Sequence, residues 1–386
     1  MRIKFLNVIM CLTFGLMMSC ANNGQPKDED PKDGPQPISI VADVTISESD
    51  FQKYGEQVWN GLALSKDTLE ALNVKLVASN NRGDLSTTLM NFQKYANRPD
   101  VPIIFTNNSP LSKNVRKDAE DSKVNQIALV AGDIDFCDGY QWAFRDAIMQ
   151  DQEGEVFAPV ILGRGDVKRI AMLGVDDDYG KDGVGFVKKE VLKLKNDVVF
   201  NENIFKKGAD FNSYIDQQLS FKPDAIYFAG REHDIIRYVN QLSTKLAKRG
   251  LNIPLYICDA FDDPDVLKGI GDNAKGIIFA SYVNDFDNPE GQAFLERYQA
   301  AYGKAPGIYA VDAYVCGQYI TKLISEGNRT AEDINKALEN MTFDSPIKGH
   351  LHVVNHSVVS NVAAYIINDK GEKELLYKPN QTKSEE

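Results

Sequence analysis

From Ile38 onward, short apolar runs alternate with stretches whose apolar positions recur every three or four residues. The runs "ISIVADV", "VKLVASN", "VPIIFT", "QIALVAG", "RIAMLGV", "DVVFNENIF", "DAIYFAG", "IPLYICD" and "GIIFAS" read as strands. Between them, Tyr54, Val58 and Leu62 share one helical face, as do Leu89, Phe92 and Tyr95. Asp84 or Ser86 is placed to cap the second of these helices, and Asp210 the helix around Tyr214. Near-continuous Val, Ile and Leu runs joined by helices predict parallel strands covered on both faces, with right-handed crossovers. The class is α/β.

After about Asn288 the rhythm changes. Helices follow one another around Phe294–Tyr302, Tyr309–Ser325 and Ala331–Asn340, and the segments "LHVVNHSVVSNVAAYIIN" and "KELLYK" close the chain. This order suits a chain that leaves one lobe, builds a second and returns to decorate both.

The first residues, "MRIKFLNVIMCLTFGLMMSCANN", put Arg2 and Lys4 before an apolar run to Met18. The run is short for a membrane span and reads as a signal peptide over 1–19. Ser19-Cys20 resembles a bacterial lipobox, which implies a lipid on Cys20. "GQPKDEDPKDGPQP" is charged and almost free of apolar residues, so 20–37 is expected to be a flexible tether. The polar tail 378–386 is expected to fray.

The formal net charge is −12 over 386 residues. That balance opposes binding to nucleic acid or anionic lipid heads. Past Cys20 only Cys137, Cys258 and Cys316 remain, too few for a disulfide scaffold.

The body resembles type I periplasmic solute-binding proteins, in the branch typified by branched-chain amino-acid receptors. The likeness lies in the order of "YGEQVWNGLALSKDTLEA", "VPIIFTNNSPLS", "WAFR", "KRIAMLGVDDDYGKDG", "DAIYFAGREHD" and "YAVDAY". It implies two doubly wound parallel-sheet lobes, joined by three crossings, with a ligand cleft between them. The crossings are expected near Arg145–Met149, Ser281–Asn284 and Ser345–Gly349. Lobe 1 would then comprise 38–146 and 283–346, and lobe 2 147–282 and 347–377.

The same resemblance places Tyr54, Ser109, Ala131, Asp133, Tyr179, Arg231 and Asp259 around the cleft. Asp133 and Arg231 depart from the amino-acid-binder pattern. A hydroxyl is usual where Asp133 stands, because an anion there repels a ligand carboxylate. Arg231 replaces an aromatic residue and is expected to pair with Asp133 or Asp259, or to meet an anionic or acceptor group of the ligand. Asp176, Asp177 and Asp178 read as the polar mouth of a strand-to-helix loop. From Asp178 an EF-hand frame fails, with Gly180 in its third place and Lys189 in its twelfth. The parity of His350, His352 and His356 would suit a metal, but a hairpin turn at Asn355-His356-Ser357 breaks it. No P-loop, G-x-S-x-G or H-E-x-x-H motif is present.

The expected function is capture of an amino acid or similar polar metabolite by cleft closure, without catalysis, metal or cofactor. The expected partners are the membrane permease of an ABC importer and the lipid anchor, at the extracytoplasmic face of a bacterial envelope. A ligand sensor signalling to a membrane partner is the alternative, and an enzyme on a related scaffold ranks below it.

Overall fold

The computed structural model describes residues 35–379 apart from 48 and 50. The signal peptide, Cys20, most of the tether and most of the tail lie outside the described residues. The chain runs β1 (Ile38–Val44), α1 (Gln52–Ala63), α2 (Lys66–Ala71), β2 (Val74–Asn80), α3 (Leu85–Ala96), β3 (Ile103–Asn107) and α4 (Ser109–Asn114). It continues with α5 (Arg116–Ser122), β4 (Asn125–Leu129), β5 (Ala143–Asp146), α6 (Gln150–Leu162), β6 (Arg169–Val175), α7 (Asp178–Leu194) and β7 (Val199–Phe205). Next come α8 (Phe211–Ser220), β8 (Ala225–Ala229), α9 (Glu232–Arg249), β9 (Leu255–Ile257), α10 (Pro264–Ile270) and β10 (Ile278–Tyr282). Helices α11 (Pro289–Tyr302), α12 (Ile308–Ser325) and α13 (Ala331–Glu339) follow. The strands β11 (Thr342–Ser345), β12 (Gly349–Val354), β13 (Ser357–Val359), β14 (Val362–Ile367) and β15 (Lys373–Tyr377) end the described chain.

These form an 8-stranded sheet ordered β11-β12-β13-β5-β4-β3-β1-β2 and a 7-stranded sheet ordered β15-β14-β10-β9-β8-β6-β7. The neighbours from β5 to β2 and from β10 to β7 pair in parallel, β13 joins β5 in parallel as well, and β11, β12, β14 and β15 add antiparallel pairs. The result is the expected α/β pair of lobes, one sheet in each. Runs such as β1, β6 and β8 are apolar on both faces because helices cover both sides, and nearly every side chain in them is buried. Tyr54, Val58 and Leu62 form the buried face of α1, which packs on α12. Gly55 lets this helix approach the chain after β1, since a Cβ there would stand 2.0 Å from the Thr45 carbonyl oxygen. Asp84, rather than Ser86, caps α3 by accepting from the Thr87 amide at 2.7 Å, and Asp210 caps α8.

The chain passes from the first sheet to the second after β5 and returns after β10. The third expected crossing is corrected. Residues 349–359 belong to the first sheet as β12 and β13, with Ser357 paired to Arg145, and the chain changes sheets at Ser360–Asn361. The hairpin between β12 and β13 turns on Asn355 and His356 (φ 47° and 61°), the left-handed pair that a tight β-turn requires. His356 thereby stacks on Phe144 at 4.5 Å, away from the stacked His350 and His352. Among the described residues no three His, Cys, Asp or Glu side chains are grouped to hold a metal.

A buried cluster ties the crossings together. Lys348 pairs with Asp312 of α12, lies 3.9 Å from Asp146 at the end of β5, and places its ammonium 3.8 Å from the ring centroid of Tyr282. Two carboxylates share one lysine there. Burial pushes the Asp146 carboxyl up to about 7.

Candidate functional site

The loops at the carboxyl ends of the two parallel sheets meet face to face, the usual position for ligands of such sheets. They enclose a void of about 20 Å³ lined by Ser109, Val130, Gly132, Ala147, Ile148, Tyr179, Arg231, Asp259, Tyr282 and Tyr309. That is room for about one water molecule. The lobes stand closed on one another.

One end of the void is built from turns of the first sheet. Asn108 caps α4 and holds φ at 60°, and Val130, after β4, holds φ at 57°. A β-branched residue at positive φ is strained, and such strain persists only where surrounding structure enforces it. The two turns bring Ser109, Val130 and Gly132 to one wall.

The opposite end is acidic and aromatic. Asp259 follows β9 in a short 3₁₀ turn, with its carboxylate accepting from Tyr179 Oη at 2.6 Å and from Tyr309 Oη at 3.2 Å. Tyr309 comes from the first lobe and Tyr179 from the second, so Asp259 is gripped from both sides. Its amide donates to Glu153 Oε1 at 2.7 Å, and Glu153 also accepts from Tyr227 at 3.2 Å. Burial pushes the carboxyls of Asp259 and Glu153 up. Among the described residues, no Lys or Arg nitrogen lies within ion-pair distance of either.

Arg231, the residue before α9, lies over the Tyr179 ring at 4.5 Å and the Phe51 ring at 5.7 Å. Its ion-pair partner is Asp177, at 2.5 Å, rather than Asp133 or Asp259. The three successive carboxylates after β6 thus divide their roles. Asp177 caps α7 through the Gly180 amide and holds Arg231. Asp176 pairs with Lys181 at 2.7 Å, and Asp178 stands 3.6 Å from Lys113 of the other lobe.

Of the seven predicted residues, Ser109, Tyr179, Arg231 and Asp259 line the void. Tyr54 is fully buried behind it, with its ring edge-on to Tyr309 at 5.4 Å. Ala131 and Asp133 flank Gly132, which lines the void, but do not line it themselves. Asp133 turns instead to Lys113 at 2.7 Å, beside Asp135, and burial pushes its carboxyl up to about 6. Sequence reasoning missed Tyr309, although "YAVDAY" had been singled out. It also missed Glu153, which lies in no motif, and Glu232, whose carboxyl burial pushes up to about 7 beside Tyr54.

Further contacts hold the lobes together beside the void. Lys53 of α1 pairs with Asp263 before α10 and with Asp265 at 3.2 Å, and Gln57 donates to Asp263 at 2.8 Å.

Residues 38–372 match the family model of the periplasmic binding protein. Two curated relatives come from Pseudomonas aeruginosa. One is a leucine-, isoleucine-, valine-, threonine- and alanine-binding protein, 25% identical over 54% of this chain and 55% of its own length. The other is an amino acid binding protein, 21% identical over 74% of this chain and 77% of its own. The match to the first therefore spans about half of that relative. Among solved structures, a leucine-binding protein from Thermotoga maritima superposes with a TM-score of 0.76 at 19% identity, over 89% of this chain and 99% of the other. A solute-binding protein from Rhodopseudomonas palustris in complex with benzoate also gives 0.76, at 20% identity, over 89% and 96%. At these identities the structural likeness speaks to fold.

Proposed function

We propose, on the premise that this chain belongs to the periplasmic binding protein family, that it captures an α-amino acid or a related small organic acid for an ABC importer. The family is one of binding proteins rather than catalysts. The observation that carries the reading is the buried Asp259 carboxylate, held by a tyrosine from each lobe and lacking a basic partner of its own. A buried carboxylate without a cation is costly, and a ligand ammonium supplies one. Ser109 and the amide of Gly132 are suited to the ligand carboxylate. Arg231, stacked on Tyr179 at one side of the void, favours a ligand whose side chain carries an acceptor or an anion over a plain aliphatic one.

Binding is coupled to closure. The void of about 20 Å³ is far smaller than an amino acid, so entry requires the lobes to part. Ligand contacts to both lobes then favour the closed arrangement. A lipid on Cys20 and the tether 20–37 would keep the body beside the permease on the outer face of the membrane.

Thermal unfolding of the purified body with a panel of amino acids and aromatic acids tests the reading. A ligand at about 100 times its Kd adds about 2.7 kcal/mol of stability. The expected result is stabilisation by a small subset that carries both an ammonium and an acceptor-bearing side chain. Stabilisation by benzoates alone would reassign the acidic end of the cleft. A flat panel would remove the proposal.

A further inference from the structure

A second space lies between the lobes. It is a groove of about 850 Å³, and no residue lines both it and the cleft void. The first lobe contributes the 134–138 loop, β12 and β13, and the second contributes α6, the start of β14 and Lys378-Pro379. Its size is that of a small-molecule site.

Arg145 of β5 lines this groove and is 3% exposed. Its guanidinium donates to three neutral acceptors: the Asp133 carbonyl, Ser357 Oγ at 2.8 Å and Met149 Sδ at 2.9 Å. Its Nε is buried and has no acceptor. No carboxylate among the described residues lies within ion-pair distance of it, although the equally buried Lys348 and the partly buried Arg231 each have one. The adjacent Asp146 points to the Lys348 cluster instead. A desolvated guanidinium with spare donors is a strong anion receptor, and its planar fork matches a carboxylate.

The walls indicate the rest of the ligand. Val354, Val359, Val362 and Met149 give the groove an apolar lining, and the His352 Nδ1 is a further buried atom without a partner. The acidic lining residues Asp138 and Glu155 are exposed and Asp151 is partly so, and Lys378 adds a second cation to the lining. Exposed charges are screened by water and salt, whereas that of Arg145 is not.

We propose that this groove is a second binding site, for an amphipathic organic anion whose carboxylate meets Arg145 and whose short apolar body lies along Val354, Val359 and Val362. The site stands whatever the cleft binds. Because its walls belong to both lobes, an occupant binds the lobe arrangement that matches it and shifts the balance between open and closed forms. Arg145 also bonds the carbonyl of Asp133, in the turn that builds one wall of the cleft. That bond links the two sites directly.

The test uses hexanoate as probe and hexanol as its uncharged counterpart, with the whole body and the imidazole NMR signals as readout. The chain has four histidines. His350 and His352 line the groove, whereas His233 stands on α9 outside it. Hexanoate should move the His350 and His352 signals saturably and leave His233 in place, and hexanol should bind at least about tenfold more weakly. Val354→Glu changes a residue that is 49% exposed and replaces part of the apolar wall the probe lies along with a polar side chain, so it should weaken the response several-fold without altering the fold. Arg145→Gln should do the same where it folds. Equal response to hexanol, no response at about 1 mM probe, or an undiminished response in Val354→Glu would overturn the proposal.

Discussion

The Lys53–Asp263 contact joins the lobes beside the cleft, and Asp263→Asn tests how much of closure it carries. Asp263 is 4% exposed, while the Lys53 side chain is 28% exposed. Oδ1 of Asp263 also accepts from the Asp265 amide at 2.8 Å and caps α10. Asparagine keeps that cap through its own oxygen and can still meet Gln57, whose Oε1 is without a partner. The substitution therefore removes the charge and little else. A hydrogen bond to a charged group is worth about 1.5–3 kcal/mol, and the partial exposure of Lys53 argues for the lower figure. That converts to about a tenfold shift from closed to open. Cysteines introduced at exposed Met90 and Leu194, one on each lobe, can carry dyes for single-molecule energy transfer, because Cys137, Cys258 and Cys316 are buried. The open population should rise about tenfold and the affinity for the cleft ligand should fall by up to the same factor. Lys188→Gln breaks a pair within the second lobe, to Glu202 at 2.7 Å, and should change neither. An unchanged distribution in Asp263→Asn would refute the assignment of this contact as a latch.

Three further outcomes are expected. Burial pushes the Asp43 carboxyl up to about 7, so the folded state holds this proton more tightly than the unfolded one, and stability present at about pH 4 is lost as pH rises through 7. Asp43→Asn should flatten that loss by at most about 2.7 kcal/mol between pH 5 and pH 8, read from denaturant unfolding of both proteins at those two values. Val130→Gly relieves a positive φ at the cost of a side chain and of backbone entropy, so it should stay within about 1 kcal/mol of the parent in thermal unfolding. Val44→Gly, in a fully buried strand with ordinary geometry, should lose several times that. Arg231→Gln removes the cation over Tyr179 and leaves Asp177 unpaired; calorimetry should find about a tenfold loss for ligands with acidic or acceptor side chains, and little for aliphatic ones.

The strands β1 and β6 coincide with the quoted runs because strands covered on both faces are apolar at most positions, and the edge strand β2 does so through its alternation of buried and exposed positions. The first two crossings came from the family resemblance rather than from any periodicity, and they fall where β5 and β10 end. The third was misplaced. The alternation in "GHLHVVNHSVV" fits an edge strand of either lobe, and only pairing with β11 and β5, far away in sequence, decides between them. The site shows the same divide. Asp177 as a helix cap follows from local sequence, but its hold on Arg231 spans 54 positions, which no local pattern encodes. Asp133 was read by its place in a family pattern, and Lys113, on α4 two helices earlier, takes it away from the void.

The late return of the chain to its first sheet sets the order in which the molecule can assemble. All five parallel strands of the second sheet lie in one uninterrupted stretch, from Arg169 to Tyr282, and adjacent strands in it are near in sequence. In the first sheet, Arg145 finds its partner Ser357 only across 212 positions. Until that segment arrives, the edge of β5 presents unpaired amides and carbonyls, open to any extended chain that meets it. Long-range pairing of this kind is slow because the loop must close before any contact rewards it. The second sheet waits on the same segment, since the edge of β10 is bare until β14 pairs with it, so completion of both sheets is the late, aggregation-exposed step. A chain cut before Ser357 leaves the edge of β5 bare.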